Sequence, residues 1–153
     1  MMKKNLAFTL LLTLLCCTIF CYPVSATTVT ETSIEMLENG DYIETIITYY
    51  ETNSRVATKS GSKTSNYKNS SGEIMWSVTV YGSFTYNGTT SSCTSVSHST
   101  SSPGDGWSIK NSSSSKSGNC ATANATATLK ILLASQDHSM TVNLYCSPYG
   151  ILS

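Results

Sequence analysis

A strict two-residue alternation in GEIMWSVTVYGSFTYNG, residues 72–88, constrains the fold more than any other feature of the chain. Bulky apolar residues occupy its even positions from Ile74 to Tyr86, and mostly polar residues occupy its odd positions. Successive side chains of a β-strand point to opposite faces of the sheet, so the pattern predicts a strand with one buried face. Gly82 interrupts the apolar row. We expect a bulge, a positive φ or a sharp bend there, either within one strand or between two.

Similar patterns elsewhere predict a fold made of strands alone. Asn87-Gly88 predicts a tight hairpin turn, because both residues tolerate a positive φ. The serine-rich stretch 111–119 is typical of a flexible turn. Further strands are predicted at 41–50, 55–61, 63–69, 90–100, 107–109, 120–133 and 139–146. Seven or eight short strands separated by polar turns indicate an all-β fold, an antiparallel β-sandwich or a small barrel.

The stretch CATANATATLKILL, residues 120–133, also fits a helix on composition, because alanine has a high helix propensity. Its apolar residues recur every second position, however, and the residues between them are Thr and Asn, which are poor helix formers. We therefore predict a strand. Four alanines on one face predict a close approach of something bulky, with Trp76 or Trp107 as candidates.

The first 26 residues have the pattern of a secretory signal peptide. Lys3 and Lys4 precede an apolar run, and Val24 and Ala26 are the small residues expected before a cleavage site. Lipid attachment at Cys17 and an uncleaved membrane helix are the alternatives, but the cysteine lacks a preceding small residue and the run is short for a span. The predicted organisation is a signal peptide at 1–26, a lead-in segment at 27–40 and a single β domain at 41–153. Within the lead-in, Ile34, Met36 and Leu37 are expected to dock or to form one helical turn.

Charge and motifs exclude several classes of function. The chain has nine acidic and nine basic residues, so no excess of positive charge points to nucleic acid or to a membrane surface after signal cleavage. The sequence lacks a nucleophile elbow, a zinc-protease motif, a phosphate-binding loop and an EF-hand loop. We expect no cofactor, no metal site and no catalytic residue. His98, His138 and Asp137 do not have the spacing of metal ligands.

Three cysteines remain after the predicted cleavage, and an odd number in an exported chain indicates one disulfide and one thiol. Cys146 is in phase with an apolar row, whereas Cys120 is in phase with Thr122 and Asn124 on a polar face. This favours a Cys93–Cys146 bridge with Cys120 free. In the chain-entropy account, a Cys120–Cys146 bridge would stabilise the fold by an amount within about half a kcal/mol of that of the Cys93–Cys146 bridge. The energy therefore does not distinguish the two pairings, and only the strand phase favours Cys93–Cys146. The alternative of a reactive Cys120 requires a nearby histidine base.

Aromatic residues are the candidates for ligand binding. Tyr42, Tyr49, Tyr50, Tyr81, Trp107 and Tyr149 could form a stacking platform for sugar rings, although aromatics in a sandwich more often fill the core. Tyr81 is the best exposed candidate because it lies between Thr79 and Ser83 on the polar face. We therefore list Tyr81, Trp107 and Tyr149 as candidate binding residues.

Three segments carry a resemblance to a known group: NSSGEIMWSVTVYGSFTYNGTTSSC, WSIKNSSSSKSGNCATANATA and VNLYCSPYGILS. Over residues 60–153 the chain resembles uncharacterised small secreted β-rich proteins of Gram-positive bacteria, which share a G-x-x-x-W-[ST]-V-x-V-x-G-x-F-x-Y-x-G core. Cysteines matching Cys93 and Cys146 recur in that group, and the resemblance therefore also implies their pairing. The chain has a fainter similarity to lactococcin-972-type bacteriocins, which are shorter secreted β-sandwiches. Neither resemblance assigns an activity.

Taken together, the sequence predicts a secreted, non-enzymatic β-sandwich that acts through its surface. The first alternative is a module that binds a glycan or another cell-surface or cell-wall ligand. The second is a bacteriocin-like antibacterial protein. A hydrolase with an unmarked site is the third, and it belongs to a different class.

Overall fold

The computed structural model describes residues 27–51 and 57–153, so the predicted signal peptide lies outside the described residues. The described chain consists of strands and turns. The eight strands are β1 (Thr27–Met36), β2 (Tyr42–Glu51), β3 (Thr58–Lys68), β4 (Ile74–Tyr86), β5 (Ser91–Ser101), β6 (Trp107–Ser117), β7 (Cys120–Ile131) and β8 (Ala134–Tyr145). In this part of the chain there is no helix long and apolar enough to cross a membrane.

The strands form two antiparallel sheets with the order of a simple meander. One sheet contains β1 to β5 in sequence order, and the other contains β6 to β8. Every neighbouring pair is antiparallel, which short turns between consecutive strands permit. The predicted all-β antiparallel sandwich is confirmed.

The core lies between the sheets and has β4 and β7 at its centre. Trp76, Val78, Val80 and Phe84 of β4 are almost fully buried, as the alternation predicted. Opposite them, the four-alanine face of β7 is also buried, with Ala121, Ala123 and Ala127 fully enclosed. Small residues on one sheet accommodate large ones on the other, so the layers interdigitate. Apolar side chains of β8 and the C-terminal segment complete the core: Met140, Val142, Leu144, Cys146 and Leu152.

The predicted lead-in segment is different in the structure. Residues 27–36 form β1, which pairs along its whole length with β2. The alternating Thr residues of this stretch favour extended backbone, and β2 supplies the hydrogen-bond partners that complete the ladder. Its side chains are almost all exposed, and Glu31 and Glu35 stand on it. Charge on an outer strand discourages pairing with another chain.

Three other sequence predictions also need correction. The stretch 111–117, expected to be a flexible turn, continues β6 and pairs with β7 through Ser117↔Cys120. The two short strands predicted within 55–69 are one strand, β3, over its described residues. The start of β8, at Ala134, lies five residues before the predicted one. In each case the segment forms a strand because a neighbouring strand supplies the backbone hydrogen bonds. A polar sequence has no local pattern that predicts this pairing.

The backbone irregularity predicted at Gly82 and the tight turn predicted at Asn87-Gly88 both differ in detail from the structure. Gly82 has no positive φ, and the register shift in the β4–β5 ladder falls between Ser83 and Phe84. The glycine is needed because the ring of Phe84 lies over it: an added Cβ would be 2.7 Å from two ring carbons. In the following turn only Gly88 has a positive φ. Asn87 instead accepts hydrogen bonds from the backbone N–H groups of Thr89 and Thr90, so the loop has four residues rather than two.

The C-terminal segment folds back on β8 and closes one side of the core. Ser153 exchanges both backbone hydrogen bonds with Tyr145, and Cys146 bridges to Leu152. Leu152 is 1% exposed. It fills the space above Gly61, where an added Cβ would lie only 2.5 Å from the leucine Cδ1 atom.

Candidate functional site

A groove lies on the outer face of the five-stranded sheet. It has a volume of about 390 Å³ and crosses β2, β3, β4 and β5. Ligand sites of small molecules commonly begin at about 300 Å³. We call this surface the hydroxyl groove. Its lining comprises Tyr50 and Tyr81, the hydroxyl side chains of Thr48, Ser60, Ser62, Ser83, Ser95 and Ser97, and the backbone of Gly61 and Gly82.

Strand register explains how these residues come together. Ser83 is paired with Ser60 on one side and with Ser95 on the other, and Tyr81 is paired with Ser62 and Ser97 in the same way. Cross-strand partners share a face, so two rows of hydroxyl-bearing side chains run across the sheet, and Tyr81 lies within one of them. The bulge beside Ser83 lies within this area, and a bulge bends its strand and increases the local twist.

The two tyrosines of the groove stand two strands apart, about 10 Å in the direction across the sheet, and are offset by two residues along the strands. Tyr50 is 61% exposed and Tyr81 is 45% exposed. The Tyr81 hydroxyl lies 3.3 Å from Ser99 Oγ, within hydrogen-bond distance. Between the tyrosines, Ser60 Oγ lies 2.8 Å from Ser83 Oγ. The groove therefore offers two aromatic faces separated by a low floor of hydroxyl groups.

The lining of the hydroxyl groove contains no charged side chain. Every polar side chain there is a hydroxyl, which can both donate and accept a hydrogen bond. Such a surface can bind a neutral, hydroxyl-rich molecule by hydrogen bonds and by packing against aromatic rings. It lacks a group that could act as a general acid or base near neutral pH, or as an anion-binding cation.

The structure places the three predicted binding residues apart from one another. Tyr81 alone lies in the hydroxyl groove. Trp107 is half-buried between the sheets, where its ring centroid lies 4.9 Å from that of His138 and 5.4 Å from that of Tyr67. Tyr149 is 75% exposed in the C-terminal turn, beyond β8. Tyr50 joins Tyr81 in the groove, but the sequence did not distinguish it from the other tyrosines.

The serines of the groove were missed because no local pattern marks them. Ser95 and Ser97 alternate with Val96 along β5, and this alternation is the one signal that could have assigned them to an outer face. Which β4 residues they accompany depends on the register of β4 with β5. A bulge shifts that register by one residue, and the sequence did not locate it correctly.

The histidines and Asp137 do not form a common site. Both ring nitrogens of His98 lie near serines of β6, at 3.0 Å from Ser114 Oγ and 3.1 Å from Ser112 Oγ. His138 packs on Trp107, and Asp137 accepts hydrogen bonds from Lys110 and Thr128. Lys110 holds the pKa of Asp137 below its usual value. Within residues 27–51 and 57–153, no cluster of three metal-ligating side chains is present.

The three cysteines are unbonded in the structure, so the predicted Cys93–Cys146 bridge is not formed there. Both of these residues are buried, and burial raises the pKa of both thiols. Their backbone N–H groups bind adjacent carbonyls of the β6–β7 turn: Cys93 donates to Gly118 and Cys146 donates to Asn119. Cys120 is half-buried on the polar face near Thr122, as its phase predicted.

Comparisons of the chain with protein-family models, with curated proteins and with solved structures gave no match.

Proposed function

We propose that this protein is a secreted, non-enzymatic β-sandwich that binds a neutral glycan in the hydroxyl groove. The observation that carries the proposal is the pairing of two exposed tyrosines with an uncharged floor of hydroxyl side chains. Sugars present apolar C–H faces that pack on aromatic rings and hydroxyl rims that exchange hydrogen bonds with serine and threonine. The absence of charge from the lining favours neutral over acidic polysaccharides.

Secretion and the disulfide belong to the same proposal. An extracellular glycan is accessible to an exported protein, and the first 26 residues have the pattern of a signal peptide. After export, an extracellular thiol oxidant would take two electrons and two protons from Cys93 and Cys146 to form the bridge. Their common burial and their contacts with the Gly118–Asn119 turn support this pairing.

Calorimetric titration with defined oligosaccharides tests the glycan proposal. The probes are the hexamers of cellulose, chitin and xylan, with oligogalacturonate as the acidic comparison. We expect at least one neutral hexamer to bind and Tyr81→Ala to weaken it about tenfold or more, equivalent to ~1.4 kcal/mol. Tyr50→Ala should also weaken it.

Tyr145→Ala is the matched control, because Tyr145 is 44% exposed, almost the same fraction as Tyr81, but stands on the other sheet. It should leave the affinity unchanged. Equal losses in the Tyr81 and Tyr145 variants, or binding of the acidic oligomer alone, would remove the groove from consideration.

A further inference from the structure

The hairpin between β7 and β8 ends in two adjacent leucines whose side chains are exposed. Leu132 and Leu133 are fully exposed, at 102% and 105% of the reference area, and the preceding Ile131 is 53% exposed. Single exposed leucines are common on soluble proteins, but adjacent exposed aliphatic residues at the most protruding point of a hairpin are not. We call residues 131–134 the leucine tip.

The backbone of the leucine tip is unfavourable for leucine. Leu132 has a φ of 48°, and it is the one non-glycine residue with a positive φ in residues 27–51 and 57–153. A two-residue hairpin loop with a positive φ at its first central position is normally given glycine there. Glycine at position 132 would relieve the strain, and a polar residue at position 133 would suit its exposure. The sequence instead keeps two leucines at a conformational cost, which points to a role outside the fold.

We propose that the leucine tip inserts into the interfacial layer of a lipid bilayer. Ile131 and Ala134 pair in register and close the loop, so the ladder hydrogen bonds continue to the last two residues. This satisfies most of the backbone polar groups that would otherwise be costly to bury in lipid. A convex tip of this shape needs a partner that can yield around it, as lipid chains do.

The length of the apolar segment fits the depth of such an insertion. Polar residues begin at the next pair, Lys130 and Ser135. From that pair to the end of the tip is about two residue rises, or ~7 Å. Apolar groups that lie in the membrane interface are buried by about 5–10 Å. Lys130 would then stand at the level of the phosphates, where a lysine is favoured.

Vesicle sedimentation of the mature protein recovered from a culture supernatant tests the proposal, with one set of vesicles made of phosphatidylcholine and another made of phosphatidylcholine with phosphatidylglycerol. We expect the wild type to sediment with both, because apolar insertion rather than charge drives the binding. The double variant Leu132→Gly/Leu133→Asn supplies the preferred turn residues, so it should fold at least as well as the wild type. Its vesicle partition coefficient should fall by about 100-fold or more.

A fluorescent variant gives an independent readout. Leu133→Trp should show a blue-shifted emission on adding vesicles, whereas Ser113→Trp, on the exposed face of β6, should not. Failure of the wild type to sediment with either vesicle, or equal sedimentation of the double variant, would overturn the proposal. The proposal would also be overturned if the wild type formed a dimer and bound no vesicles while the double variant was a monomer. A second copy of the chain would then cover the tip. Vesicle sedimentation and the fluorescence shift are both independent of the hydroxyl groove, which lies on the other sheet.

Discussion

At the scale of single residues, small side chains decide how closely the two sheets approach. Gly82 leaves room for the Phe84 ring on its own strand, and Ala121 of the opposite sheet would lie 3.1 Å from a Cβ at this glycine. Gly61, its cross-strand partner, leaves room for Leu152 in the same way. The glycine pair therefore serves the core on one face, and on the other its backbone forms part of the groove.

Gly82→Ala should destabilise the fold by about 1–3 kcal/mol, because the new methyl group would displace an aromatic ring in a packed core. Ser77→Thr, on the outer face of the same strand, is the control and should change the free energy of unfolding by no more than ~0.5 kcal/mol. Urea denaturation measures both. Equal midpoints would show that the Phe84 ring moves aside without cost.

The cysteines give a second prediction at this scale. In protein purified from a culture supernatant, non-reducing peptide mapping should show a crosslink between the peptides of Cys93 and Cys146, with Cys120 alkylated. The bridge should stabilise the fold by ~4 kcal/mol in the chain-entropy account, because it closes a long loop in the unfolded chain. A crosslink that contains Cys120 would contradict the assignment.

At the scale of elements, strands that look unremarkable in sequence are held by their neighbours. β1 and the second half of β6 expose nearly all their side chains, and their hydrogen bonds to β2 and β7 fix them in place. The C-terminal segment is the opposite case. It is short and irregular, but it contributes one of the most buried side chains of the core, Leu152.

Leu152→Ala should cost about 2–5 kcal/mol, because it leaves a cavity above Gly61. Ile151→Ala is the matched control, since Ile151 is 61% exposed and should have little effect. The melting temperatures of the two variants, measured by circular dichroism, should differ by several degrees.

The double variant Leu152→Ala/Gly61→Ala distinguishes packing from general damage. Gly61→Ala should destabilise the fold less when Leu152 is already alanine, since the two changes act on the same space.

At the scale of the whole molecule, the sandwich separates its two candidate surfaces. The hydroxyl groove lies on the outer face of the five-stranded sheet, and the leucine tip lies at the end of the three-stranded sheet. A rigid core between them allows each surface to act without the other. The proposed glycan ligand would be extracellular, so export is the prediction that belongs to this scale.

A Gram-positive host that expresses the full chain should release a protein that begins at Thr27, as measured by intact mass. The motivation is the small-residue pattern before that position. Ala26→Leu should block cleavage, because a large residue does not fit where signal peptidases require a small one. Ser25→Ala should not. Recovery of a chain that keeps Met1, or of one with a lipid on Cys17, would contradict the prediction.

The sequence by itself determined the fold class and the buried faces of β4 and β7. Alternation at a period of two is a local property, and it follows directly from the geometry of a strand. The same parity correctly placed Cys120 outward, Cys146 inward and Tyr81 on the polar face. It did not identify β1 or the end of β6 as strands, because their side chains have no buried face to reveal.

Tertiary structure alone decided which residues meet. The hydroxyl groove depends on the register of four strands and on a bulge beside Ser83, and a shift of one residue would place different side chains around Tyr81. Register is set by the packing of the whole core and by the turns, so no single segment encodes it. The strain at Leu132 likewise became visible only from its φ angle, since an apolar run in the sequence does not distinguish a buried strand from an exposed tip.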